Sequence, residues 1–238
     1  MRRRLTAVKF SMLVLLVVLA GCGGEPVPPR TGVDPILVIR EYRGLAPAAA
    51  RYALPAFTLL ADGTAVLAAD DQGVVVTGTR RFLTPDDVDR LYARAAGLLS
   101  SGRDDAPDAS TLVIRIRTAS GWHETSVRGD GDRGRVVEAA TRAGTDAGRY
   151  HSERVAVVVV ADSDGGSDVR PWPLSTPATA MPGYPSRPCL VTDAAAVLAA
   201  VRTATVDTRW TTDDGHRVAL RVRPLLSYEK SCTDLSAA

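Results

Sequence analysis

Two short apolar runs folded back on an Asp-Gly pair occur near each end of the chain, and they constrain its architecture most. Residues 56–61 and 64–69 flank Asp62-Gly63, while residues 208–211 and 216–222 flank Asp214-Gly215. Such a pair supplies the positive-φ turn that joins adjacent antiparallel strands, so two hairpins are expected. Between them, Leu112, Ile114 and Ile116 alternate with Val113, Arg115 and Arg117. That period of two marks a strand with one wet face. After a turn at 119–121, a partner strand is read at 122–127. Residues 36–40 read as a first strand and 73–77 as a further one. Residues 155–160 are apolar on both faces and read as a central, fully covered strand.

Three helices are expected among these strands. Thr84 as N-cap, Pro85 in the first turn and Asp86-Asp87 beside it open the first. Val88, Leu91, Tyr92, Ala95 and Leu98 then recur at i, i+3, i+4, i+7 and i+10, which is one buried face. A second helix presents Val136, Val137, Ala140 and Ala143. A third starts at Thr192-Asp193 and presents Val197, Leu198 and Val201. Helices separated by hairpins argue for an α+β fold of antiparallel sheet with about three packed helices. The folded part is read as one domain over 36–238. Its two lobes, 36–147 and 152–238, each offer strands and helix, without residue-level identity between them.

The N terminus carries an address. Arg2, Arg3, Arg4 and Lys9 precede an apolar run of ten residues at 10–19, broken only by Ser11. A membrane-crossing helix needs roughly 20 residues, so the run fits a secretory leader over 1–21. Leu19-Ala20-Gly21-Cys22 follows, and it resembles the lipobox of bacterial lipoproteins. The resemblance implies cleavage before Cys22 and acylation of its sulfur, hence a lipid anchor on the extracytoplasmic face of the cell membrane. Residues 22–35 hold four prolines and three glycines and read as a flexible tether.

The leader also explains the charge. The whole chain has 29 Lys plus Arg against 27 Asp plus Glu. Four of the basic residues lie in the leader, which leaves 25 against 27. No basic footprint for a nucleic acid remains. Three cysteines divide in the same way: with Cys22 lipidated, Cys189 and Cys232 are expected to pair, as exported cysteines do.

Chemistry is sparse. The phosphate-loop, nucleophile-elbow, His-Glu-x-x-His and Ser-x-x-Lys patterns do not occur in the sequence. His123, His151 and His216 lack neighbours at metal-ligand spacing. The loop Asp162-Ser163-Asp164-Gly165-Gly166-Ser167-Asp168 spaces carboxylates as calcium loops do, but Ser167 and Pro173 stand where glycine and glutamate are needed. Arg128-Gly129-Asp130 reads as an ordinary turn. Trp172 and Tyr184 punctuate a Pro-rich loop, as loop anchors or as a ligand surface. Arg217, Arg221 and Arg223 alternate along the last strand, and with Arg115 and Arg117 they form an anion patch if those strands are neighbours; otherwise they are a solvated face. No catalytic residue, metal or cofactor is assigned.

The lipobox, Tyr42-Arg43-Gly44-Leu45, the stretch from Leu54-Pro55-Ala56-Phe57 to Asp62-Gly63-Thr64, and Val222-Arg223-Pro224-Leu225-Leu226 ahead of Cys232 resemble a group of uncharacterised actinobacterial lipoproteins. Arg43-Gly44-Leu45 departs from that group's usual Gly-Gly-Phe. The resemblance implies an envelope lipoprotein without catalytic residues to transfer. The expectation is a binding or interaction module taking an envelope protein or small ligand. The alternative is an envelope hydrolase whose site is assembled from distant residues such as Asp162, Asp164 and a histidine.

Overall fold

The computed structural model describes residues 27–42, 52–99, 111–128, 131–162 and 166–237. The leader, Cys22, Arg43-Gly44-Leu45, Gly129-Asp130 and Ser163-Asp164-Gly165 fall outside the described residues.

Strands dominate. In chain order they are β1 (Pro35–Tyr42), β2 (Phe57–Leu60), β3 (Thr64–Gln72), β4 (Val75–Phe82), β5 (Thr111–Thr118), β6 (Gly121–Arg128), β7 (Thr145–Arg149), β8 (Arg154–Asp162), β9 (Asp168–Pro171), β10 (Cys189–Asp193), β11 (Thr208–Thr211) and β12 (Arg217–Pro224). Helices α1 (Pro85–Leu98), α2 (Gly131–Arg142), α3 (Ala194–Val201) and the single turn α4 (Asp234–Ala237) complete the described elements, with a 3-10 turn at Ala178–Ala180. All twelve strands join one sheet, with main order β10-β8-β12-β4-β3-β2-β1-β5-β6. The α+β class fits, although strand outweighs helix.

Both Asp-Gly pairs turn hairpins. Gly63 has φ +84°, and a Cβ there would stand 2.9 Å from the Leu83 carbonyl oxygen, so glycine is needed for conformation and for space. Asp62 closes the turn by accepting from the Thr64 amide at 2.8 Å. Helix α1 begins as expected: Thr84 and Asp87 form a reciprocal capping box, with Pro85 behind it. Its five spaced residues, Val88 to Leu98, are all buried. Helix α2 buries Val136 and Ala140, with Val137 and Ala143 half-covered at the edge.

Three expectations need correction. The further strand starts at Val75 instead of Gly73 and runs to Phe82; Gly73, at φ +60°, turns the chain into it. Leu198 is partly exposed, because the short α3 buries only the Ala194, Val197 and Val201 stripe. The sheet is mixed and not antiparallel throughout, since β9 runs parallel to β11 and β4 parallel to β12. The latter pairing joins β1–β7 to β8–β12 through one register pair, Val222 with Val75. The Val222 amide donates to the Val74 carbonyl at 2.9 Å across this seam.

Register separates the sheet's two faces. Val75, Val222 and Val157 lie in one row and face the helices. Leu37, Ile39, Leu112, Ile114 and Ile116 continue that apolar face under α1 and α2. On the other face Arg221, Arg223, Val158 and Ala156 point away from the helices; Arg221 lies against Tyr52, and residues 225–237 cover the other three. Leu225 and Leu235 pack on Ala156 and Val158. The Cys189–Cys232 disulfide ties this C-terminal segment to edge strand β10. The N-terminal Pro/Gly segment is not wholly a free tether either. Pro28 is buried, and both Asp89 carboxylate oxygens accept from Arg30 at 2.6 Å.

Candidate ligand-binding groove

The face away from the helices is built by alternation. In one cross-strand row Glu124, Arg115, Val38 and Thr58 lie side by side on β6, β5, β1 and β2. Opposed residues of antiparallel strands share a face. Arg117 and Trp122 form the next pair towards the sheet edge, and Arg40 lies two residues beyond Val38 on the same face of β1. The C-terminal segment crosses above this surface. Its points of attachment include the disulfide, the Arg223–Glu229 ion pair, the Ser227 hydroxyl donating to the Val33 carbonyl at 3.3 Å, and Arg40 donating to the Leu235 carbonyl at 3.4 Å.

A groove of about 450 Å³ lies between sheet and segment. Val38, Trp122, Arg115, Arg117 and Tyr228 line it, with Asp34 and Asp234 among its acidic groups. Its mouth is electrostatically organised. Arg115 lies over the Trp122 ring, 5.0 Å from the centroid, and 3.4 Å from Glu124. Arg117 meets Asp34 at 2.8 Å. Asp234 is held well below the usual carboxylate range by the Lys230 and Ser231 amides that donate to it.

The five-arginine patch, conditional on β12 and β5 being neighbours, does not form. Strands β12 and β5 are separated by β4, β3, β2 and β1. Arg223 is also no solvated face residue: it is 0% exposed and makes a bidentate pair with Glu229 at 2.7 and 2.8 Å. Glu229 accepts the Leu226 amide as well, at 2.8 Å. Arg221 donates to the Gly73 carbonyl at 2.7 Å and lies over Tyr52. Arg115 and Arg117 therefore act at the groove without the β12 arginines.

Among the described residues, four buried side-chain polar atoms at this cover have no hydrogen-bond partner: Arg40 Nε, Thr58 Oγ1, Arg223 Nε and Tyr228 OH. Burial pushes the Tyr228 phenol up to about 12, with the Glu229 charge adding to that effect. Burial likewise draws Arg40 below its ordinary value, and Tyr42 is the largest of the influences opposing the shift. Sequence reading placed Arg40 at the end of the first strand but could not see what covers it. Tyr228 and Glu229 carried no local pattern at all.

A second hollow of about 390 Å³ lies between the Pro-rich loop and the β11–β12 hairpin, with Tyr184, Asp214 and His216 in its wall. Tyr184 donates to Asp214, as does the Thr212 hydroxyl at 2.5 Å. These hydroxyls bring the Asp214 carboxyl down to about 2, far from the range of an effective base at neutral pH. Tyr184 thus pins the loop while also lining a wall. Trp172 pins it from the other side, donating to the Thr176 carbonyl at 2.8 Å and packing on the α3 core.

The remaining sequence candidates disperse. Asp168 pairs with Arg170 and accepts from Thr208, so β9 and β11 use its carboxylate. His123 Nε2 meets the Ser120 hydroxyl at 2.9 Å on an exposed edge. Among the described residues no three His, Cys, Asp or Glu gather to hold a metal ion. Comparison with protein families, curated proteins and solved structures finds no match to this chain.

Proposed function

We propose that the chain is a lipid-anchored, non-enzymatic binding module, held at the outer face of the cytoplasmic membrane through Cys22. The lipobox spacing and the resemblance to actinobacterial lipoproteins support the address. The groove under the C-terminal segment carries the binding half of the reading. It combines an aromatic wall, Trp122, with the guanidinium groups of Arg115 and Arg117 and the buried Tyr228 hydroxyl. Small-molecule sites characteristically pair an apolar surface with a few convergent polar groups.

The two halves are tested separately. Cys22→Ser is expected to release the protein from the membrane fraction, and unchanged fractionation removes the anchor. For binding, the protein is incubated with a deproteinised envelope extract, repurified and analysed for co-eluting small molecules by mass spectrometry. A compound retained by the native chain and lost with Trp122→Ala supports the groove. Identical profiles for the two proteins refute it.

A further inference from the structure

We infer that the groove takes a neutral saccharide, for which Trp122 supplies a platform under one pyranose ring and Arg115, Arg117 and Asp34 receive hydroxyl groups. The inference rests on reading the groove as a ligand site and adds the chemical class of what enters it.

Among the described residues, the charged side chains lining the groove are two arginines and two aspartates, Arg115, Arg117, Asp34 and Asp234. Both arginines already face a carboxylate, Arg115 at 3.4 Å from Glu124 and Arg117 at 2.8 Å from Asp34. Asp234 accepts from the Lys230 and Ser231 amides and from the Ser231 hydroxyl. An anion entering here would compete with Asp34 or Glu124 for a guanidinium and would meet Asp234 in the same groove. A cation would compete with Arg117 for Asp34 and would meet Arg115. Like charges brought together at a site are costly, so this lining favours a ligand without net charge.

A neutral ligand must still answer these polar groups. A guanidinium has five N–H donors and a carboxylate about four acceptor sites, and the Arg117–Asp34 hydrogen bond uses one of each. Both side chains stay open to solvent, at 40% and 62% exposure. A hydroxyl both donates and accepts, so it bridges such a pair without breaking it. The apolar part of the groove is Trp122, still 39% exposed, with Pro35 and Val38. A pyranose ring presents a face of C–H bonds and a rim of hydroxyls, which matches an indole flanked by donors and acceptors. A flat heteroaromatic ring matches the indole but carries few groups for the rim. A peptide matches the rim but brings no broad C–H face. The volume of about 450 Å³ is in the range of small-ligand sites and far above that of a lone ion.

The full chain, in a detergent without a sugar headgroup, is titrated by calorimetry with maltotriose, cellotriose, mannotriose and N-acetylchitotriose. Trigalacturonate, the chitosan trimer, adenosine and N-acetyl-trialanine amide serve as acidic, basic, aromatic and peptide comparisons. At least one neutral trisaccharide is expected to saturate and to bind more tightly than all four comparisons. Its affinity is expected to change by less than about twofold between low and high salt. Trp122→Ala is expected to weaken it by about tenfold or more, with the melting temperature without ligand unchanged because the side chain is exposed. Asp34→Asn leaves Arg117 without its carboxylate and is expected to raise trigalacturonate affinity by about fivefold or more. The inference is overturned if no neutral trisaccharide saturates, if any comparison compound binds more tightly, if Trp122→Ala binds as the native chain does, or if Asp34→Asn leaves trigalacturonate unchanged. A Trp122-dependent compound from the envelope extract that is not a saccharide removes the chemical class and leaves the groove standing. The groove itself falls only when that extract yields no Trp122-dependent compound.

Discussion

The two faces of the sheet are closed by opposite means. Towards the helices, Leu37, Ile39, Leu112, Ile114 and Ile116 meet the apolar stripe of α1, and burial of hydrocarbon holds them. Towards the C-terminal segment, Arg40, Thr58, Arg223 and Glu229 are buried among tyrosines, and the cover has only one turn of helix. Hydrophobic packing is tolerant and non-directional, whereas a buried polar layer depends on each partner being present. The difference shows why the second cover carries a covalent bond and a bidentate ion pair. A short segment with few apolar side chains cannot hold itself down.

Removing the covalent tie is the strongest way to break this asymmetry. Replacing both Cys189 and Cys232 by Ser releases a loop with a sequence separation of 43 residues, expected to cost about 4 kcal/mol in the chain-entropy model. Urea unfolding checks the loss. Hydrogen exchange is expected to rise first over residues 225–237, and uniform exchange across both faces would contradict the assigned role of the segment.

Glu229→Gln comes next. It leaves Arg223 as a buried charge without its carboxylate, at an expected cost of about 3 kcal/mol in chemical denaturation. A cost near zero would mean that the polar face tolerates loss of its ion pair as readily as the helical face tolerates a conservative swap.

The smallest effect belongs to the helical face. Thr84→Ala removes the α1 cap for about 1 kcal/mol near neutral pH. The sign of its pH dependence follows from Asp87, whose carboxyl is lowered chiefly by the Thr84 side chain and then by Arg90. A lowered carboxyl contributes stability above its unfolded value of about 4, and that contribution fades as pH falls through the folded value. The gap between native and variant is therefore expected to narrow below about pH 4, and a gap independent of pH would detach Asp87 from the cap.

What was legible in the sequence follows the same division. Helix α1, both Asp-Gly hairpins, the alternation in β5 and the apolar β8, buried over 155–158 though only half-buried at Val159 and Val160, depend on neighbours within a few residues, and each left a local pattern. The strand β7, Thr-Asp-Ala-Gly-Arg, has no apolar alternation and exists because β4 pairs with it. The parallel seam joins residues far apart in the chain, for which periodicity offers no signal. Alternation put Arg221 and Arg223 on one face of the last strand, but it says nothing of what covers a face, and Arg223 is buried there. The disulfide was inferred by elimination, whereas the groove needed the position of a segment that ends the chain.

The seam between β4 and β12 is narrow, with one register pair joining the two parts of the sheet. The C-terminal segment spans it, contacting β1 through Arg40 and Leu235 on one side and β10 through Cys232 and Cys189 on the other. In mechanical terms it is a cross-brace. A pull entering at Pro35 reaches the far edge of the sheet by two routes, one through the strand ladder and one through the brace, and only the second passes over the groove.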